Sequence, residues 1–190
     1  MYEAKNFERL LGTEGFSDVL LRNHFTLYEG YVSNTKKLHE LLKTAEAGTP
    51  QWSEMKRRFG WEWNGMRLHE LYFGNMTKEK KNPDQKGVFV KKILENFESF
   101  EAWEKDFRAT GALRGIGWTV LARDNETGKL FNVWVNEHDA GHLAGASCIL
   151  VMDVFEHAFA LDYGIKRADY LAAFWKAIDW DVVTSRLAGV

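Results

Sequence analysis

Residues 149–157 read Ile149-Leu-Val-Met-Asp153-Val-Phe-Glu-His157. A β-prone apolar run, Ile149–Asp153, leads directly into a helical stretch, Glu156–Tyr163, so this segment joins strand and helix around a carboxylate and an imidazole. Asp153 and His157 stand four residues apart, and on a helix or a tight strand-to-helix turn both can face one point. Carboxylate oxygen and imidazole nitrogens around one point suit iron, manganese or zinc. Two isolated histidines upstream, His24 and His69, each lie in an amphipathic stretch where an imidazole is otherwise an odd choice. Three His and one Asp would leave one position open on a five-coordinate metal, the form of a redox-capable catalytic site rather than of a structural staple.

Before this segment, Gly117–Arg123 and Lys129–Val135 are β-prone runs joined by the polar turn Asp124-Asn-Glu-Thr-Gly128, a hairpin signal. Towards the N-terminus, Ser17–Leu42 reads as a long helix capped by Ser17, with Val19, Leu20, His24, Leu27, Tyr31 and Leu38 near helical spacing. Gly48-Thr-Pro50 breaks that pattern, and a second helix runs from Trp52 to Phe73, made irregular by Gly60 and Gly65. Two such helices form an antiparallel hairpin that brings His24 and His69 together. Thr77–Gly87, with its Lys, Asn and Asp residues and Pro83, is linker-like. Further helices are expected at Val88–Asn96, Ser99–Thr110 and Arg167–Leu187. The expected fold class is α+β: an N-terminal antiparallel helical hairpin, residues 1–82, then a C-terminal domain, residues 83–190, of helices packed on a small three-stranded antiparallel sheet. The site is expected to be shared between the two.

Composition narrows the function classes. The 190 residues are 45% hydrophobic, ample for a packed core. The net charge of −2, without a basic tract, argues against nucleic acid or anionic lipid as a partner. One cysteine, Cys148, excludes an internal disulfide and a cysteine-based metal site; in its small-residue apolar run it is expected to be buried and inert. The Met-Tyr-Glu-Ala-Lys-Asn start lacks a signal-peptide pattern and no window approaches 18 apolar residues, so a soluble, cytoplasmic protein is expected. Ser33 and Ser147 lack a nucleophile-elbow pattern, and Gly111–Gly117 lacks the Lys-Ser/Thr ending of a phosphate loop. A lone histidine is more often ordinary core or surface, and His39, between Leu38 and Glu40, is read so.

Several of these stretches carry a resemblance. Asp153-Val-Phe-Glu-His-Ala-Phe159 resembles the Asp-x-Trp-Glu-His-Ala signature of the iron/manganese superoxide dismutases. Gly115-Ile-Gly-Trp118-Thr resembles that family's Gly-Ser-Gly-Trp segment. Arg167-x-x-Tyr170-x-x-x-Phe174-Trp175 with Trp180-Asp resembles its C-terminal helix, and Tyr31-Val-x-Asn34-x-x-x-Leu38 the stretch after its first ligand. The match spreads over residues 16–187 in the family's order.

The resemblance implies one iron or manganese ion per subunit, with a slight lean to iron, held by His24, His69, Asp153 and His157. It implies superoxide as substrate, a homodimer or homotetramer, and no membrane or nucleic-acid partner. Tyr31 would match the tyrosine at the mouth of the substrate funnel and Trp118 a wall of the metal pocket. His138 would match the group that hydrogen-bonds the solvent in the metal's shell, opposite the second oxygen of Asp153. Gly65 would match the small residue of members whose solvent partner comes from the sheet, and Glu156 the glutamate that reaches the partner subunit's last His ligand. Arg167 is a candidate for steering the anion or for a structural ion pair. Phe155, Trp134 and Phe73 could keep the pocket dry, the last two reading more readily as core.

The departures are specific. Phe155 replaces the signature tryptophan and loses an N–H donor. The stretch from His24 to Tyr31 is one residue shorter than in many members, leaving Tyr28 as an alternative match. A family histidine in that stretch has no counterpart among Leu27 and Tyr28, and its tyrosine partner is Ala160 here. With that pair gone, the alternative function is a metal-binding relative of low activity, serving storage, sensing or interaction.

Overall fold

The Ser17 hydroxyl accepts the Leu20 N–H at 3.0 Å, capping α1 (Asp18–Thr44). Its own N–H and O–H bond the Asp162 carboxylate at 2.7 and 2.6 Å, tying the start of α1 to the C-terminal part of the chain. The computed structural model describes residues 2–189. Thr49 caps α2 (Pro50–Gly74) with Pro50 in its first turn, where a missing N–H costs nothing. Gly60 and Gly65 leave α2 unbroken, contrary to the irregularity expected, and packing against α1 along its length outweighs the ~1 kcal/mol that each glycine costs a helix.

The end of α2 is held from three directions. Arg9 gives its guanidinium to the carbonyls of Met76 and Phe73 at 2.7 and 2.8 Å, and Arg186 donates to that of Leu71 at 2.8 Å. Two cations thus add donors to carbonyls at and just beyond the helix end, where the dipole also favours positive charge. Buried Asn75 links this end to the sheet: its Nδ2 donates to Val151 O at 3.2 Å and its Oδ1 accepts Val151 N–H at 3.0 Å.

After α3 (Val88–Asn96) and α4 (Phe100–Gly111), three strands form an antiparallel sheet: β1 (Gly117–Asp124), β2 (Leu130–Asn136) and β3 (Ala146–Asp153), ordered β2-β1-β3. Central β1 puts Trp118 opposite Val135 on one side and Asp153 on the other. The third strand starts three residues earlier than expected, and a bulge at Leu121/Ala122 accommodates it.

The Glu156–Tyr163 segment is not one helix. A single 3-10 turn, Glu156–Ala158, is followed by α5 (Ala160–Tyr163), with Phe159 at φ −146° between them. The expected Arg167–Leu187 helix is likewise two, α6 (Arg167–Lys176) and α7 (Trp180–Ala188). At the break the chain pairs elsewhere: Thr77 N–H bonds Ala177 O at 2.7 Å, Asp179 N–H bonds Asn75 O at 2.9 Å, and the Asp179 carboxylate caps α7. One core joins these layers, with Tyr72, Phe73, Trp103, Trp118, Tyr170 and Phe174 all fully buried.

Candidate metal centre

His24 and His69 face each other across the α1–α2 hairpin, Asp153 ends β3, and His157 sits in the 3-10 turn four residues later. One donor atom from each lies within 4.8 Å of every other. Asp153 Oδ2 is central, 3.1 Å from His157 Nε2, 3.2 Å from His24 Nε2 and 3.5 Å from His69 Nε2. His24, His69 and Asp153 are buried, while the His157 side chain remains 27% exposed and opens the cluster towards solvent.

Hydrogen bonds set the orientation of these groups. His69 Nδ1 contacts Gly65 O at 2.5 Å, and since a carbonyl only accepts, the proton is on Nδ1 and the Nε2 lone pair points into the cluster. That Nε2 is buried and has no hydrogen-bond partner among the described residues. Burial pushes His24 below its ordinary pKa and His69 well below it. Burial raises Asp153, but the charges and hydrogen bonds of His157 and His24 outweigh it and leave the carboxyl well below the usual range. Neutral His24 and His69 beside an ionised Asp153 are protonation states that metal binding requires.

Asp153 is more engaged than the sequence suggests. Its Oδ1, expected as a free acceptor for solvent, takes the Phe155 N–H at 2.9 Å, and its backbone carbonyl accepts the Tyr170 hydroxyl at 2.5 Å. Both contacts hold the strand end in the orientation that presents Oδ2.

Tyr31 and not Tyr28 reaches the site. Seven residues turn a helix through about 700°, within roughly 20° of two turns, so His24 and Tyr31 share a face. The Tyr31 ring stacks on His69 at 5.2 Å, and its hydroxyl lies 2.8 Å from His138 Nε2. Tyr28 turns away and donates to Glu70 at 3.1 Å. On the far side of His138, Trp118 Nε1 donates to Nδ1 at 3.1 Å. An indole can only donate, so Nε2 carries the His138 proton and gives it to the Tyr31 oxygen. Burial takes His138 down to about 4 and Tyr31 up to about 12, keeping both neutral near pH 7.

Gly65 is required by contact: a Cβ there would meet Tyr31 Cδ1 at 2.5 Å. Trp118, Phe155 and Phe73 wall the cluster, with Phe73 4.8 Å from the His24 ring and Trp118 4.9 Å from the His69 ring. Phe73 therefore serves the site as well as the core, while Trp134 is only partly buried. Among the described residues Arg167 is neither in the cluster nor in an ion pair; it donates to the carbonyls of Leu113 and Gly115 at 2.6 and 2.8 Å. Glu156 is exposed and borders a surface depression with Phe159, Ala160, Gly164, Ile165 and Arg167. His39 is exposed as expected; Cys148 is only half-buried, its thiol pushed up by desolvation. Sequence reasoning missed Trp61, whose ring meets His138 edge-on at 4.9 Å.

The family profile described as iron/manganese superoxide dismutases, C-terminal domain, matches residues 85–186, just over half of the chain. The chain is similar to a protein named superoxide dismutase [Mn] 2 of Haloferax volcanii, 36% identical over 170 residues covering 88% of this chain and 84% of that one. It is 34% identical over 167 residues to superoxide dismutase [Fe] of Sulfolobus acidocaldarius, covering 84% and 79%. Similarity to superoxide dismutase [Fe] of Aquifex pyrophilus is 32% over 193 residues, 97% and 90% of the two chains.

Proposed function

Because the chain belongs to the iron/manganese superoxide dismutase family, we propose that it converts two superoxide anions and two protons to dioxygen and hydrogen peroxide at one iron or manganese ion held by His24, His69, Asp153 and His157. The observation that carries this reading is the buried His69 Nε2, a lone pair without a partner inside a cluster of donor atoms. Leaving such an atom unpaired costs on the order of 1–3 kcal/mol, and a metal ion is what this donor set would take. When bound, the metal supplies one-electron cycling between its 3+ and 2+ states. Three neutral imidazoles and one carboxylate give a donor charge of −1, able to hold either state.

The remaining roles belong to the chain. Tyr31, receiving the His138 Nε2–H, keeps its own O–H free to donate to a reduced oxygen species at the mouth of the cluster. Trp118 fixes the His138 tautomer and so the direction of that contact. Trp118, Phe155 and Phe73 exclude bulk water, which strengthens each electrostatic contact within. Glycine at 65 makes room for the Tyr31 ring, which reaches His138 from the sheet side. We favour iron slightly on that arrangement.

Leu161 and Ile165 stand exposed on the segment after Glu156, Ile165 at 99%, which supports a homodimer or homotetramer through this face. We read the chain as two lobes, 1–82 and 83–190, that share one core and the site, in the cytoplasm. Among the described residues, no helix is long and apolar enough to cross a membrane.

The test is metal content by elemental analysis and superoxide turnover, both on one purified sample. About one iron or manganese per chain with fast turnover supports the reading. Full metal with negligible turnover favours a binding protein of low activity, and no metal after loading with either ion overturns the ligand set.

A further inference from the structure

On α2 a guanidinium is linked to Tyr31 through two rings, those of Trp61 and His138. Arg58 lies one turn before Glu62 on α2 and gives Nε and a terminal nitrogen to the same carboxylate oxygen, each at 2.7 Å. The Glu62 side chain is 3% exposed, and its other oxygen accepts Asn34 Nδ2 from α1 at 3.2 Å. A buried carboxylate with both oxygens engaged is a fixed anchor, unlike an ordinary surface ion pair. From this anchor Arg58 lies over the Trp61 ring, 5.4 Å from its centroid, and Trp61 meets His138, which meets Tyr31. The order is guanidinium, indole, imidazole, phenol.

The Arg58 side chain is 57% exposed while its partner carboxylate is buried, so the pair turns its positive end to solvent. At Tyr31 the Glu62 carboxylate acts more strongly than Arg58 and against it, and Arg58 also acts on His138, after Asp153, His157 and Asp139. We propose that Arg58, seated on Trp61 by Glu62, is the cation that draws the anionic substrate to the Tyr31–His138 entrance. This rests on the dismutase reading. A positive rim on a cleft with low-dielectric walls raises the on-rate of an anion, and salt abolishes the effect as the screening length shrinks from about 30 Å at 0.01 M to about 3 Å at 1 M.

The experiment compares metal-loaded wild type with Arg58→Gln, Arg58→Lys and a control, Arg57→Gln. The control removes the same charge from an exposed neighbour paired with Glu54. Two quantities are read at low and high salt: kcat/KM for superoxide, and the dissociation constant of azide, a small anion, from the visible absorption of the metal. Arg58→Gln is expected to lower kcat/KM about threefold to tenfold near 0.01 M salt, with the loss vanishing near 1 M, and to weaken azide by a similar factor. Arg58→Lys should recover most of both, and Arg57→Gln should match wild type. Equal behaviour of Arg58→Gln and wild type at low salt overturns the proposal, as does an equal loss in Arg57→Gln. A wild type that holds metal without turnover overturns the dismutase reading instead, and the azide titration still decides the role of Arg58.

Discussion

The Tyr31 hydroxyl and His138 Nε2 lie 2.8 Å apart, one on α1 and the other in the loop after β2. The direction of the bond follows from Trp118 on the opposite nitrogen, so the phenol receives a proton from the imidazole and keeps its own. Tyr31→Phe should therefore keep its metal and lose turnover about tenfold, or change its product inhibition. The loss falls below the ~10²-fold typical of a positioned proton donor because solvent reaches the half-buried ring. Stopped-flow turnover beside metal analysis checks this, and unchanged kinetics would remove Tyr31 from the mechanism.

Gly65→Ala tests the space that Tyr31 occupies. The added Cβ would lie 2.5–2.9 Å from three atoms of that ring, and both groups sit on helices. Overpacking costs ~1–3 kcal/mol, against a return of ~1 kcal/mol from helix propensity. A net loss of about 1 kcal/mol in denaturant unfolding is expected, together with a turnover defect like that of Tyr31→Phe because the hydroxyl leaves His138. A variant of wild-type stability and turnover would contradict this packing.

Much of this was legible because the signals are local. Ser17 announces the start of α1 and caps it in the structure, whereas the caps that Thr49 and Ser99 supply to α2 and α4 were not read from the sequence. The α6–α7 break was not legible, because it depends on pairing between Ile178 and Met76 across some hundred residues. At the site, the joint occurrence of His24, His69, Asp153 and His157 could be read, since strand end and helical hairpin both point to one place. Trp61, Arg58 and Glu62 could not. Arg58 and Glu62 look like any i,i+4 surface pair, and only Asn34 on the neighbouring helix makes the carboxylate a buried one.

Metal-free protein should lose stability as pH falls from about 6.5 towards 4. Burial holds His138 near 4 and pushes His24 and His69 below their usual value, whereas the unfolded chain binds these protons near 6.5. In that window the unfolded state takes up more protons, so stability rises with pH, by up to about 1.4 kcal/mol per pH unit for each proton. Denaturant midpoints at pH 7, 6 and 5 measure it. His138→Gln should flatten the slope, and equal slopes in the two proteins would show that His138 titrates normally.

Asp153 decides the ligand set. Its Oδ2 lies within 3.5 Å of all three imidazoles, and its ionised form supplies the negative charge among the four donors. Asp153→Ala should bind neither iron nor manganese. The substitution also removes the acceptor for Phe155 N–H, so a loss of metal could follow from a disordered strand end. Asp153→Asn separates the two causes: its amide oxygen can still accept the Phe155 N–H, while the charge is gone. Far-ultraviolet circular dichroism of wild-type form with metal content well below one per chain in the Asn variant would place the defect in the ligand. Stoichiometric metal in Asp153→Ala would instead mean that the three histidines suffice, and the carboxylate would then be a structural group at the end of β3.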